Sequence, residues 1–221
     1  MIYLIVALLF AALESLALWK KWKRLEFIAK PAVMIVLFVW LFTAVGLNGA
    51  LFWFGLGILL SLAGDIFLML SLDRLFMAGL VAFLLAHLSY VIGFNIPLPE
   101  FSTWGLILAV MIGLGGTRLI NRILSSVIAS GQSRLRIPII IYSVVISLML
   151  LSAMIKMTDL TWGALSSLLV GLGALLFYLS DIILAWNKFV RPIQHGRIYN
   201  IGAYHLGQIA IVAGVILQYS A

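Results

Sequence analysis

The sequence predicts an all-α fold: a polytopic membrane bundle of eight transmembrane helices that forms a single domain over residues 1–221. Two observations support this prediction. First, 65% of the residues are hydrophobic and only 10% are charged, which leaves too little polar surface for a soluble domain. Second, the apolar residues fall into eight runs of roughly 17 to 25 residues, the length of a helix that crosses a bilayer.

The eight runs follow one another with mostly short connections. They cover about Ile2 to Trp19, Pro31 to Leu47, Ala50 to Leu72, Leu75 to Pro97, Trp104 to Ile120, Pro138 to Ile155, Thr161 to Trp186 and Ile198 to Gln218. Pro31 and Pro138 are expected at the start of the second and sixth helices, where a missing N–H costs no hydrogen bond. The stretch from Ile123 to Ser133 is the one long connection, and its composition suits either an interfacial segment or a flexible loop.

Basic residues lie almost entirely in the odd-numbered loops between these spans. Of the 14 lysines and arginines, 13 lie there: Lys20, Lys21, Lys23, Arg24, Lys30, Arg74, Arg118, Arg122, Arg134, Arg136, Lys188, Arg191 and Arg197. The positive-inside rule therefore predicts that the odd-numbered loops are cytoplasmic and that both termini lie on the opposite side, with Lys156. The first basic cluster follows the first apolar run, which favours a retained helix over a cleaved signal peptide.

Several classes of chemistry are excluded by composition and motif. The chain has no cysteine, which removes disulfides, thiolate metal sites and thiol nucleophiles. It also has no P-loop, no nucleophile elbow and no metalloprotease helix motif, and it lacks the Glu-x-x-His pairs of di-metal bundles. Neither a metal nor another cofactor is therefore predicted. The net charge of +7 belongs to the loops of a membrane protein, so no nucleic-acid partner is expected.

Two short segments suggest an internal duplication. Gly64-Asp65-Ile66-Phe67-Leu68 in the third span is similar to Ser180-Asp181-Ile182-Ile183-Leu184 in the seventh. Each aspartate is followed in the next span by a histidine, His87 after 22 residues and His205 after 24. This pattern predicts two four-helix repeats, 1–103 and 104–221, in parallel orientation about an axis along the membrane normal.

The intramembrane aspartates are the main candidates for catalysis. A carboxylate inside a span costs several kcal/mol unless it is paired, neutralised or in a wet cavity. Counted along the helices, Asp65 and Asp181 lie at roughly 10 Å and 8 Å from the cytoplasmic ends of their spans. Two neighbouring buried carboxylates take different pKa values, so that one can act as an acid and the other as a base. This pair suits hydrolysis through an oxocarbenium-like state, and it equally suits a proton relay.

Other polar residues of the spans are candidates for supporting the aspartates or binding a substrate. At about the depth of the aspartates we expect His205 and Tyr142, with Lys30 at the mouth of the second helix; His87, Tyr90 and Gln208 are expected nearer the middle of the membrane. Glu14 is expected to be peripheral. The full supporting set is Lys30, His87, Tyr90, Tyr142, Tyr178, Ser180, Tyr204, His205 and Gln208.

An ordered set of short motifs resembles a known family. The set consists of Lys30-Pro31, Gly64-Asp65, His87-Leu88-Ser89-Tyr90, Gly173-Ala174 with Phe177, Ser180-Asp181, and Tyr204-His205 with Gln208. It resembles the YhhN-like lysoplasmalogenase family of eight-helix membrane proteins over most of the chain. The resemblance implies a hydrolase that cleaves the vinyl ether bond of lysoplasmalogens, with a lysophospholipid as substrate and fatty aldehyde as product. It also implies that Lys30, Tyr142 and His205 orient water or hold the phosphate.

Two other functions remain open on the sequence. Duplicated halves with buried aspartates are also typical of proton-coupled transporters, in which Asp65 and Asp181 would be proton sites. A lipid-binding protein without catalysis would tolerate the loss of either aspartate. The outer halves of the spans carry few polar residues, mainly Thr43, Asn48 and Asn95, which favours a closed enzyme pocket over a pathway across the membrane.

Overall fold

The computed structural model describes residues 1–71, 74–100 and 102–220. Across these residues the chain is helical, without strands, and the predicted fold class is confirmed. Each of the eight helices is long and apolar enough to cross a membrane. The helices are α1 (Ile2–Lys20), α2 (Lys23–Val45), α3 (Ala50–Leu70), α4 (Phe76–Phe94), α5 (Thr103–Ala129), α6 (Arg136–Ile155), α7 (Ala164–Phe189) and α8 (Gly196–Tyr219).

The start of α2 differs from the prediction. The helix begins at Lys23, so Pro31 lies inside it and not at its first turn. The segment before Pro31 is rich in good helix formers, and Glu26 and Lys30 are placed four residues apart on one face. Charged residues in this first part of α2 resemble a loop in a hydropathy pattern, which is why the prediction was wrong. Pro138, in contrast, lies in the first turn of α6, as expected.

The end of α5 is the second difference. The helix continues to Ala129, so most of the connection expected at 123–133 is helical and not a flexible loop. Ile123 and Val127 recur at helical spacing and pack in one apolar cluster with Phe76. Serine hydroxyls in this part donate to carbonyl groups one turn back, which keeps them compatible with a helix. The other boundaries move by three residues or fewer, and Leu72 lies outside the described residues.

Helices α7 and α8 form the closest pair in the bundle. A Cβ atom added at Gly173 of α7 would lie 2.7 Å from the carbonyl oxygen of Gly207, and one added at Gly207 of α8 would lie 2.8 Å from the carbonyl oxygen of Gly173. The two backbones are in direct contact at this point, which only glycine permits. Helix α8 is the most buried of the eight spans, and α5 is the least buried.

The two ends of the bundle differ in charge. Because each helix crosses the bundle, the connections after α1, α3, α5 and α7 meet at one end, which we call the basic end. Arg197 at the start of α8 donates to the Glu26 carboxylate of α2 there. At the other end, Gln218 of α8 accepts a hydrogen bond from the backbone N–H of Gly163 before α7. Both candidate aspartates lie nearer the basic end, at roughly 8 to 12 Å from the last residues of α3 and α7.

Candidate functional site

Asp181 of α7 contacts side chains from two other helices. The hydroxyl of Tyr142 on α6 donates to Asp181 Oδ2, and Nε2 of His87 on α4 lies 3.2 Å from the same oxygen and 3.0 Å from the Tyr142 hydroxyl. We call His87, Tyr142 and Asp181 the Asp181 cluster. Because both partners converge on Oδ2, the other oxygen, Oδ1, keeps only a 3.5 Å contact with the Ser180 hydroxyl.

Asp65 of α3 has partners on both of its carboxylate oxygens. Lys30 Nζ lies 3.0 Å from Oδ1, and the Tyr204 hydroxyl donates to Oδ2 at 2.7 Å. We call these residues the Asp65 cluster. The Asp65 side chain is 2% exposed and that of Lys30 is 9% exposed. The buried negative charge of Asp65 is therefore balanced by the adjacent ammonium group of Lys30. Lys30 lies about 10 Å inside α2 and not at its mouth, which corrects the predicted position.

An aromatic wall separates the two clusters. The ring of Phe177 lies 4.6 Å from that of His87 and 5.2 Å from that of Tyr204, between centroids. Phe83 packs against the rings of both Phe177 and Tyr204. Among the described residues, no hydrogen bond or ion pair joins Asp65 directly to Asp181. Each aspartate therefore has its own set of partners, on its own side of Phe177.

The two histidines occupy unlike positions. His87 contacts Asp181, although its position along α4 predicted a place nearer the middle of the membrane. His205 points toward α1, where its Nδ1 lies 3.3 Å from Oε2 of Glu14. Consecutive residues of a helix point about 100° apart, so the neighbour of His205, Tyr204, is the one that reaches Asp65. The duplication of histidines in the sequence does not correspond to a duplication of contacts.

Glu14 was wrongly expected to be peripheral. Its side chain is fully buried, as is that of His205. Neither the Glu14 carboxylate oxygens nor the His205 ring nitrogens have a well-aligned hydrogen bond among the described residues. The signal that could have identified Glu14 was present in the sequence, since a carboxylate in an apolar span is costly at any depth. Its short distance from the end of α1 obscured that signal.

Tyr90 and Gln208 form a third polar contact, one helical turn deeper than the Asp65 cluster. The Tyr90 hydroxyl donates to Gln208 Oε1 at 2.7 Å, and Gln208 Nε2 donates to the Ser61 hydroxyl at 3.0 Å. All three side chains are buried. Ser61 was missed in the sequence because a lone serine in a span is usual. The three residues satisfy one another and join α3, α4 and α8.

Ser180 and Tyr178 complete the predicted set. The Ser180 hydroxyl donates to the carbonyl oxygen of Phe177 at 2.7 Å, and the Ser180 carbonyl accepts a hydrogen bond from Asn200 Nδ2 of α8. Ser180 therefore fixes the turn of α7 that carries Asp181. Tyr178 belongs to neither cluster, and its side chain lines a cavity.

That cavity lies between α5, α6 and α7 and reaches α3 and α4. It has a volume of about 380 Å³, within the range of sites for small ligands. We call it the chain cavity. Most of its wall is apolar, and its polar lining residues are Thr117, Tyr142, Ser143, Ser147, Tyr178 and Asp181. Asp65 does not line it. Among the described residues, no three His, Asp or Glu side chains converge as a metal site requires.

Comparisons with known proteins identify relatives of this chain. The chain is 28% identical to lysoplasmalogenase TMEM86B of Mus musculus over 189 residues, which cover 85% of this chain and 73% of the mouse protein. It is 29% identical to lysoplasmalogenase TMEM86B of Homo sapiens over 142 residues, 64% of this chain and 54% of the human protein. With lysoplasmalogenase TMEM86A of Homo sapiens the identity is 27%, over 72% of this chain and 63% of that protein.

The matched part of the chain thus spans between about half and three quarters of the length of these three relatives. No solved structure matches it significantly. The model of the YhhN family matches residues 25–215, a range that includes every member of the Asp65 and Asp181 clusters and leaves out Glu14. The protein is an integral, multi-pass membrane protein and belongs to the YhhN family.

Proposed function

We propose that the protein is a membrane-embedded hydrolase that cleaves the vinyl ether bond of lysoplasmalogens to a fatty aldehyde and a glycerophospho-head group. The observation that carries the proposal is the position of Asp181. Its carboxyl group lies at the wall of an apolar cavity, with one oxygen held by Tyr142 and His87 and the other in only a 3.5 Å contact with Ser180. The names of the relatives, all lysoplasmalogenases, support the same substrate class.

Vinyl ether hydrolysis needs an acid more than it needs a nucleophile. The protonated Asp181 gives its proton, from Oδ1, to the β-carbon of the vinyl ether. The positive charge is then shared by the α-carbon and the ether oxygen, as in the oxocarbenium states of glycoside hydrolysis. Water adds to the α-carbon and returns a proton to Asp181, and the hemiacetal collapses to the aldehyde and the free glycerol hydroxyl.

The partners of Asp181 suit this role. Tyr142 and His87 hold Oδ2, so that Oδ1 carries the proton toward the cavity in a fixed direction. The apolar wall excludes bulk water, which strengthens the effect of each nearby charge. The alkenyl chain of the substrate occupies the apolar part of the cavity, between α5 and α6.

Asp65 is the second carboxylate of the proposed mechanism. Both of its oxygens are occupied, by Lys30 and Tyr204, and it does not line the chain cavity. We therefore assign the initial proton transfer to Asp181. Asp65 then acts from behind Phe177, as the negative end of its ion pair with Lys30, on the positive charge of the oxocarbenium state.

The test is aldehyde release by the purified protein from lysoplasmenyl-ethanolamine, measured by mass spectrometry. We expect Asp181→Asn to reduce this rate by roughly a hundredfold or more, the usual effect of losing a general acid. Glu100→Gln is the matched control, because Glu100 is exposed and lies outside both clusters. Full activity in Asp181→Asn would contradict the assignment, whereas an inactive wild-type protein would contradict the function itself.

A proton-coupled transporter remains the second candidate, with Asp65 and Asp181 as its proton sites. The observation in its favour is the contact of Tyr90, Gln208 and Ser61, which extends buried polar groups one turn beyond Asp65. A transporter would acidify the interior of proteoliposomes in a solute-dependent manner and would release no aldehyde. We expect the opposite result on both counts.

A further inference from the structure

A second cavity lies at the basic end of the bundle. Its volume is about 490 Å³, and Arg74, Arg134, Lys188 and Gln132 contribute to its lining. We call it the basic vestibule. Phe76 lines both this vestibule and the chain cavity. The two cavities are therefore neighbours, one basic and one apolar, across a single aromatic ring.

Arg74 and Arg134 bring two positive charges to the vestibule. Arg74 and Arg134 are exposed, and among the described carboxylates none lies within ion-pair distance of either guanidinium group. The Lys188 ammonium lies 4.7 Å from the centre of the Phe76 ring, which holds this third positive charge at the same wall. Arginine groups of this kind bind phosphate through paired N–H donors.

The distance from the vestibule to Asp181 matches the size of a lysolipid. Lys188 follows Asp181 by seven residues of α7, and Tyr142 follows Arg134 by eight residues, which places the vestibule roughly 10 to 12 Å from the cluster. In a lysoplasmalogen, six bonds separate the phosphorus atom from the vinyl ether carbon, about 7 Å when extended. A guanidinium-to-phosphate hydrogen bond adds about 3 Å.

We propose that the basic vestibule is the phosphate subsite of this enzyme, in which Arg74 and Arg134 bind the phosphate diester of the lysolipid head group. The inference rests on the proposed function and extends it. The phosphate then fixes the glycerol beside Phe76, the vinyl ether lies at Asp181, and the hydrocarbon tail continues past Tyr142 into the chain cavity. Lys30 is not needed for the phosphate, since its ammonium group is paired with Asp65.

The first experiment compares two substrates in the purified full-length protein. One is lysoplasmenyl-ethanolamine, and the other is the 1-alkenyl glycerol, which has the same vinyl ether but no phosphate. In Arg74→Gln/Arg134→Gln we expect KM for the phosphate-bearing substrate to rise on the order of tenfold or more, with kcat nearly unchanged. KM for the alkenyl glycerol stays the same. An equal effect on both substrates, or none on either, would overturn the subsite.

Arg118→Gln/Arg122→Gln is the matched control. It removes the same charge from exposed positions of α5 that line neither cavity, and we expect it to leave both KM values unchanged. A tenfold rise in KM in this control would mean that general surface charge, and not the vestibule, attracts the lysolipid.

The second experiment tests the phosphate subsite by binding alone, independently of catalysis. A saturated 1-alkyl lysolipid has the phosphate and the chain but no cleavable bond, and its binding is measured by equilibrium competition with a radiolabelled copy. We expect Arg74→Gln/Arg134→Gln to weaken this binding on the order of tenfold, whether or not the wild-type protein releases aldehyde. Unchanged binding would overturn the subsite, and a wild-type protein that binds but releases no aldehyde would overturn only the proposed function.

Free phosphate is the other source of the same chemistry. Inorganic phosphate and glycerophosphoethanolamine are added as competitors in the binding assay. We expect both to compete far more weakly than the lysolipid, because neither fills the chain cavity. Competition by inorganic phosphate at the same concentration as the lysolipid would show that the vestibule is a site for free phosphate and would overturn its assignment to a lipid head group.

Discussion

At the scale of single residues, two aspartates of similar sequence context occupy different environments. Asp65 is enclosed, with one oxygen paired to Lys30 and the other bonded to Tyr204. Asp181 lies at a cavity wall with only a 3.5 Å contact to Ser180 on its second oxygen, and its side chain is 13% exposed. The difference arises from their neighbours, since an ammonium group lies beside only one of them. Because of this difference in environment, the two carboxylates have different roles in the proposed reaction.

Removal of Asp65 alone is expected to destabilise the protein. Asp65→Asn leaves the Lys30 ammonium buried without a counter-charge, which costs about 3–5 kcal/mol in comparable buried pairs. The double variant Asp65→Asn/Lys30→Met removes both charges, and we expect it to recover most of that loss. Thermal unfolding in one detergent measures the difference.

Aldehyde release by the same double variant decides the role of Asp65. If Asp65 acts in the reaction, the stability returns and the activity does not, and this is the result that we expect. Recovery of both would make Asp65 a structural partner of Lys30 and would leave Asp181 as the single essential carboxylate.

Both aspartates were predicted from the sequence, because a charge in an apolar span is costly wherever its partner lies. Their partners were harder to identify. The residue bonded to Asp65 is 139 positions away in the chain, and the choice between Tyr204 and His205 depends on which face of α8 points toward α3. Polar residues lie on adjacent faces of α8, Tyr204 and Gln208 on one and His205 on the next, so the presence of polar residues alone did not select the face. The contact of His87 with Asp181 was also missed.

At the scale of helices, the close pair α7 and α8 positions both clusters, since α7 carries Asp181 and α8 carries Tyr204. Their backbones touch at Gly173 and Gly207, one or two turns from these residues. The number and order of the helices could be predicted from hydropathy and length alone. The early start of α2 and the late end of α5 could not, because polar residues at a helix end resemble a loop once the helix leaves the apolar layer.

The glycine contact gives a prediction for stability. In Gly207→Ala the new methyl group would lie 2.8 Å from a backbone oxygen of α7, so the helices must separate. We expect a loss of about 1–3 kcal/mol, seen as a lower midpoint of thermal unfolding, together with reduced aldehyde release.

Gly202→Ala, on the same helix, is the matched control. A Cβ atom at Gly202 would meet nothing within 4 Å, and alanine favours the helix by about 1 kcal/mol over glycine. We expect this variant to be neutral or slightly stabilised. Equal destabilisation in both variants would mean that the close approach of α7 and α8 is not what limits stability.

At the scale of the whole molecule, the contacts of the two aspartates correspond. Asp65 of α3 is bonded from α2 and α8, and Asp181 of α7 is bonded from α6 and α4. Helices α3, α2 and α8 of the first set become α7, α6 and α4 of the second set when each helix number is raised by four, with α1 following α8 in the count. The predicted pair of parallel four-helix repeats would give this correspondence, with each half completing the cluster of the other.

The orientation of the bundle in the membrane is a prediction that labelling can test. The chain contains no cysteine, so single cysteines can be introduced at Ser130, at the basic end, and at Leu160, which is fully exposed between α6 and α7. By the positive-inside rule, a maleimide that does not cross membranes should label Leu160→Cys in intact cells and Ser130→Cys only after lysis. The reverse pattern would place the basic end outside.

Helix α5 forms one wall of the chain cavity and is the least buried of the eight spans, which has a consequence for turnover. Few residues of this helix are buried, among them Leu108 and Ile123, so only one helix stands between the chain cavity and the surrounding lipid. A substrate that enters past α5 is drawn from the leaflet itself, and we expect the rate to follow its mole fraction in the bilayer rather than its molar concentration in the sample. Dilution with inert phospholipid at constant total substrate should therefore slow the enzyme.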